Sequence, residues 1–325
     1  GLELWPVAVN VQDITQGAEM RKRLAKGNFL SIMSQMAKEA ERGGLAMAEA
    51  GLAACRDADM VLTGLGGLFV GLALAEKLDL PLVQAHYIPL TPTRAYPSFL
   101  LPPLPLWMGR FLNRPSYHLV RQVMWQAFRP ADRAMRRRVP GLPPWPLGGP
   151  YGSARMQSSP ILYGYSPTVI PPPPDWGGDI HVTGYWFLDP PGGPTEGVWN
   201  PPPALVEFLE AGPAPVYVGF GSMTSHKPEE TTALIVQALA RAGQRGVLLS
   251  GWGALQVSAL PDTIFMLGTI PFSWLFPRMA AIVHHGGAGT TGAALRAGAP
   301  SLVVPFFADQ PFWGRGIVRL MVISP

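Results

Sequence analysis

The chain has 325 residues, 48% of them hydrophobic and only 14% charged, where an average globular protein carries roughly 25% charged residues. That composition excludes a disordered chain, and the length suggests two domains rather than a single core. A net charge of +4, with no basic stripe interleaved with aromatics, sets nucleic acid aside as a partner.

Cys55 is the only cysteine, which excludes an internal disulfide framework and fits a reducing, cytoplasmic setting. It reads as a small buried residue. The only dense basic run is RAMRRR at 133–138. Its functional reading is contact with phosphate or peripheral contact with an anionic membrane surface, and its bland reading, which is preferred, is a solvated helix face. The uncharged run 60–75 is shorter than the ~20 residues that span a bilayer. The opening GLELWPVAVN has no signal-peptide features; it enters as a strand, suggesting that sequence precedes it.

In chain order, residues 2–9 read as a β segment. After Gly27-Asn28, Leu30, Met33, Met36 and Ala40 show helical spacing, Gly43-Gly44 interrupts, and a second helix continues to Ala54. Residues 60–63, 69–78 and 82–85 form a strand-helix-strand unit with a parallel, right-handed crossover. Gly64-Leu65-Gly66-Gly67 mimics a dinucleotide fingerprint, but Phe69 stands at the third glycine position. Asp57-Ala58-Asp59 spells a metal-binding DxD but precedes its strand, on the wrong edge of the sheet. No metal site is expected.

His86, Tyr87, Thr91 and Tyr96 follow the strand at its carboxyl edge, where α/β sheets bind ligands, and are the candidate acceptor-binding residues. The proline-rich apolar stretch PSFLLPPLP follows, then a helix at 117–128 and a basic one reaching Arg138. Strands are expected at 161–165 and 180–185. DPPGGPTEGVWNPPP at 189–203 is the most linker-like segment.

From there strands and helices alternate, which predicts a doubly wound parallel sheet. Strands at 215–219, 247–249 and 263–267 lead to residues 281–315, AIVHHGGAGTTGAALRAGAPSLVVPFFADQPFWGR. This reads as a strand, a glycine-rich loop, a helix to about Ala297, a second buried strand at 302–304 and a loop at 306–313. A glycine-rich turn opening a helix offers unpaired N–H groups and a positive dipole end, suited to phosphate. Thr290 and His285 add donors, and Asp309 and Gln310 carry groups suited to sugar hydroxyls. Diphosphate beside a sugar is what a nucleotide-sugar donor presents. A tight structural turn is the plainer alternative for the loop alone.

HHGGAGTT at 284–291 and AGAPSLVVPFFADQPFWGR at 297–315 resemble the donor-binding signature of family 1 glycosyltransferases with the GT-B fold. Together with VYVGFGSM at 216–223, LLSGWG at 248–253, PLTPTRAYPS at 89–98 and GGPYGSARMQSSPILYGYSP at 148–167, they most resemble the sterol 3-beta-glucosyltransferase-like branch. The resemblance implies two Rossmann-like domains facing a cleft: an acceptor domain at 1–188, a linker at 189–211 and a donor domain at 212–325. It implies that His285, Gly287, Ala288, Gly289 and Thr290 hold the donor diphosphate with Ser222 beside it, and that Asp309 and Gln310 hold the hexose. It implies inverting transfer from UDP-glucose to an apolar hydroxylated acceptor such as a sterol or polyketide, with no metal or other cofactor.

The chain departs from the family pattern in four places. The loop carrying the family's acceptor-activating residue would lie before Gly1, Gly64 stands where another branch has an acid, Phe272 follows Pro271 where His or Gln is usual, and the family's final helices, which cross back onto the acceptor domain, would lie after Pro325, so both domains are expected to be incomplete. The catalytic base is therefore unassigned, with His86 a candidate. A GT-B-fold binding protein without turnover, and a lipid-linked transferase at a membrane surface, remain alternatives. The sequence does not give the oligomeric state.

Overall fold

The computed structural model describes residues 3–5, 29–188, 200–221, 227–250 and 260–323. These form two compact units that divide between Gly184 and Tyr185, at a glycine with φ +84°. Ser222, Gly251, Trp252, the Gly27-Asn28 pair and residues 189–199 of the linker-like segment lie outside the described residues. Of the β segment read at 2–9, only 3–5 are described, and they form no strand.

The first unit runs α1 (Phe29–Ala54), β1 (Val61–Thr63), α2 (Leu68–Lys77), β2 (Leu82–His86), α3 (Leu106–Arg138), α4 (Ala154–Ser158), β3 (Ile161–Tyr163) and β4 (Ile180–Val182). Its sheet is parallel in the order β1-β2-β3-β4. Val61, Leu72, Ala75 and Leu82 form one core cluster between sheet and helix. Helix α2 lies so close to β1 that a Cβ on Gly71 would stand 2.7 Å from the Thr63 side chain.

Two expected helix breaks are absent. Helix α1 continues through Gly43-Gly44, although each glycine costs roughly 1 kcal/mol in a helix interior. Helix α3 continues through Pro115 and Pro130, each of which removes a backbone donor and strains the preceding turn. Burial along α3 outweighs that local cost: Tyr117, Trp125 and Met135 are nearly inaccessible, and α1 packs along it.

The basic run is not a uniformly solvated face. Arg137 and Arg138 are exposed, but Arg136 is 2% exposed. Its guanidinium bonds Asp132 at 3.0 Å and Glu76 at 2.8 Å and lies 4.7 Å from the Trp145 ring centroid. Cys55 is half-buried. Asp57 and Asp59 are exposed before β1, at the amino edge of the sheet, as their sequence position indicates.

The second unit runs α5 (Pro203–Glu210), β5 (Val216–Gly219), α6 (Pro228–Arg241), β6 (Gly246–Leu249), β7 (Ile264–Leu267), α7 (Phe272–Leu275), β8 (Ala281–His284), α8 (Ala288–Arg296), β9 (Ser301–Val303) and α9 (Gln310–Ile323). All five strands are parallel, in the order β7-β6-β5-β8-β9. Chain direction across the sheet reverses between β5 and β8, the topological switch point where open α/β sheets bind ligands. Tyr217, Val247, Leu275, Phe276 and Ile282 fill the core beneath it.

The strand expected at 302–304 is not buried. It is the edge strand β9, and Leu302 is 61% exposed there because no strand lies beyond it among the described residues. The loop expected at 306–313 is already helical from Gln310 onward, with Asp309 accepting from the N–H groups of Phe312 and Trp313.

Candidate nucleotide-sugar site

Strands β5 and β8 pair with Gly219 opposite His284, so the residues that follow both strands emerge together at the switch point. Gly221, with φ +59°, follows β5. His285 follows β8 and is 8% exposed. A Cβ on Gly221 would stand 2.9 Å from Cε1 of His285, and one on Gly287 would stand 2.5 Å from its Nε2. The imidazole therefore lies against two positions that must be glycine, and those glycines come from both loops of the switch point. Its Nδ1 is buried and has no hydrogen-bond partner among the described residues. Burial lowers the ring's pKa from 6.5 to about 4, so it is uncharged at neutral pH.

His284, fully buried, acts one step behind. Its Nδ1 accepts from the Gly286 N–H at 3.2 Å, which assigns the ring proton to Nε2. That bond fixes the turn at Gly286, where φ is +90° and a Cβ would collide with Val303 at 2.6 Å. Burial, and secondarily His285, lowers the His284 pKa to about 4.

Helix α8 begins at once. Gly287 is its N-cap and has no side-chain capping bond, and the first intrahelical bond comes from the Thr291 N–H. The N–H groups of Ala288, Gly289 and Thr290 are thus the unpaired donors that every helix N-terminus leaves. They lie beside His285, with the positive end of the helix dipole behind them.

Asp309 and Gln310 stand where β9 passes into α9. The Asp309 carboxylate accepts from Trp313 Nε1 at 2.9 Å; burial raises its pKa, and the Trp313 bond opposes that shift. Gln310 is 4% exposed, and its Oε1 accepts from the N–H groups of Phe306 at 2.7 Å and Phe307 at 3.1 Å. Its carbonyl oxygen therefore shapes the 306–309 loop. Ala308, just before Asp309, has φ +57°, a left-handed conformation that costs about 1 kcal/mol or more for a residue with a Cβ.

Trp313 and His284 were not legible as site residues. The signal for Trp313 is its spacing, four residues after Asp309, which carries weight only once the helix is known to start at Gln310.

In the first unit, His86 is 1% exposed. Its Nε2 lies 3.3 Å from Gln84 Oε1, and burial, with Arg121 nearby, lowers its pKa to about 4. Thr91 is bound to Tyr163: its N–H donates to that hydroxyl at 2.8 Å, and the two hydroxyls lie 2.8 Å apart. Tyr96 is half-buried, and burial raises the pKa of its hydroxyl. Tyr87 is 49% exposed. Of the four acceptor candidates, only Tyr87 presents a largely open side chain.

The two parallel-sheet units and the switch-point loops have the GT-B fold. Residues 248–321 match the family model described as erythromycin biosynthesis protein CIII-like, C-terminal domain. The solved glycosyltransferase of kitacinnamycin shares the fold, with a TM-score of 0.60 at 19% identity over 91% of this chain and 69% of that one. In sequence, the chain is a homologue of sterol 3-beta-glucosyltransferases. It is 41% identical over 246 residues to a sterol 3-beta-glucosyltransferase of Arabidopsis thaliana, covering 75% of this chain and 37% of that protein. It is 39% identical over 292 residues to one from Cryptococcus neoformans, covering 83% of this chain and 18% of that protein. The chain thus spans well under half the length of these relatives.

Proposed function

We propose that the chain forms the nucleotide-sugar side of an inverting, metal-independent glycosyltransferase. The enzyme would move glucose from UDP-glucose to a hydroxyl of an apolar acceptor such as a sterol or polyketide. The observation that carries this reading is the His285 imidazole set against Gly221 and Gly287 at the switch point, beside the uncapped start of α8.

The chemistry follows from those groups. An uncharged His285 ring offers a hydrogen bond to the diphosphate without the cost of a buried charge. The Ala288, Gly289 and Thr290 amides and the α8 dipole stabilise negative charge as it grows on the departing phosphate oxygen. The Asp309 carboxylate, oriented by Trp313, accepts from hexose hydroxyls. The acceptor oxygen bonds to the anomeric carbon as the bond to the diphosphate oxygen breaks, and the opposite-face attack inverts that centre. The acceptor proton requires a base. His86, sealed against Gln84, is not assigned that role, and no other described residue is.

The burial of His86 favours a second reading, nucleotide binding without turnover. Calorimetric titration with UDP and UDP-glucose, followed by transfer assays on a sterol panel with and without a chelator, separates the two. Product with the inverted anomeric configuration, formed equally with chelator, supports transfer. Binding without product or donor hydrolysis supports the second reading. Absence of binding to any nucleoside diphosphate or its sugar sinks both.

A further inference from the structure

Between Asp79 and Asp132 the sequence contains no acidic residue, yet Arg94, Arg110, Arg114, Arg121 and Arg129 all lie in that interval. The first turns of α3 bring part of this basic stretch to the surface together with large apolar side chains. Trp107, Phe111 and Leu119 are 71%, 69% and 60% exposed, and Arg110, Arg114 and His118 are exposed among them. Positions 107, 111, 114 and 118 recur at helical spacing and share one face, a row roughly 17 Å long at helical rise. The Arg110 guanidinium lies 5.3 Å from the Phe111 ring centroid.

Further along α3 the character of the surface changes. Gln122 donates to the Gly148 carbonyl at 2.7 Å and Gln126 to the Leu147 carbonyl at 2.8 Å, so a turn of the chain covers the helix there. Asp175, an acid within electrostatic reach of Arg114, is already held by the Thr93 hydroxyl at 2.5 Å and the Arg94 N–H at 2.9 Å.

We propose that the face of α3 carrying Trp107, Phe111, Arg114 and His118, with Arg110 beside it, docks on an anionic phospholipid surface. Indole and phenyl rings partition to the headgroup level of a bilayer. Arginine stems lie along apolar surface while their guanidinium groups reach phosphate, and a single sign of charge complements an anionic leaflet. No helix among the described residues is long and apolar enough to cross a membrane, so the contact is peripheral. The burial of Arg136 moves this role away from the 133–138 run and onto the start of the helix.

The test is co-sedimentation of the full chain with phosphatidylcholine vesicles, with and without phosphatidylserine, at low and high salt. The wild type is expected to bind the phosphatidylserine vesicles and to be released by salt. The Trp107→Glu/Phe111→Glu variant should lose binding by at least about tenfold, and Arg110→Gln/Arg114→Gln should lose the preference for phosphatidylserine. The latter variant changes only exposed guanidinium groups, which keeps the test decisive if the glutamates disturb folding. Wild type that ignores phosphatidylserine, or arginine variants that bind like wild type, overturns the proposal. So does a vesicle-free dimer that the glutamates dissociate, since the face would then pair with a second copy.

Discussion

A Cβ on Gly287 would stand 2.5 Å from Nε2 of His285, so the imidazole holds its place only because residue 287 has no side chain. Gly287→Ala must push the ring out of the switch point. The expected result is a loss of UDP affinity of about tenfold or more, on the scale of one charge-assisted hydrogen bond. Calorimetry measures the affinity and circular dichroism checks the fold. A folded Gly287→Ala protein that binds UDP like wild type would contradict this placement of His285.

Trp313 fixes Asp309. Asp309→Ala should weaken UDP-glucose binding by roughly tenfold while leaving UDP binding near wild type, because the carboxylate is assigned to the hexose. Trp313→Phe keeps the ring's apolar bulk and removes the 2.9 Å bond. It should shift UDP-glucose affinity in the same direction by a smaller factor. Equal losses for UDP and UDP-glucose in Asp309→Ala would move the carboxylate's role to the diphosphate.

Stability should depend on pH through three buried rings. His86, His284 and His285 each titrate near 4 in the folded chain, against 6.5 when unperturbed. With the folded value depressed, the unfolded chain takes up protons first as pH falls. Stability is therefore complete above pH 6.5, declines between 6.5 and 4, and loses up to about 3 kcal/mol for each ring. Urea unfolding across that range reads the slope, and His86→Gln should make it shallower. A flat profile from pH 7 to 4.5 would refute the burial of these rings as uncharged groups.

Arg136 is a buried cation with committed partners. Arg136→Ala leaves Asp132 charged in an apolar setting and should destabilise the chain by about 3–5 kcal/mol. Adding Asp132→Leu should recover part of that loss, because the remaining charge is removed. If Arg136→Ala alone proves neutral in denaturant unfolding, the buried pair is not a structural element.

The switch-point loops were legible because their chemistry is local. A strand that ends in HHGGAGTT and opens a helix advertises unpaired N–H groups whatever surrounds it. The long helices were misread for the opposite reason. Gly43-Gly44, Pro115 and Pro130 are valid local breakers, and only burial against a neighbouring helix outweighs them.

The sequence by itself determined the alternation of strands and helices, the parallel sheets and the glycine loop with its histidine, since periodicity and turn chemistry are properties of adjacent residues. Tertiary structure alone decided which side chains the site can use. It set His285 against Gly221, sixty-four residues earlier in the chain. It turned Gln310 toward its own loop, sealed His86 in the first unit, and drew Arg136 out of a basic run into an ion pair. Each of these depends on what a side chain meets across the fold, a distance that spacing along the chain does not encode.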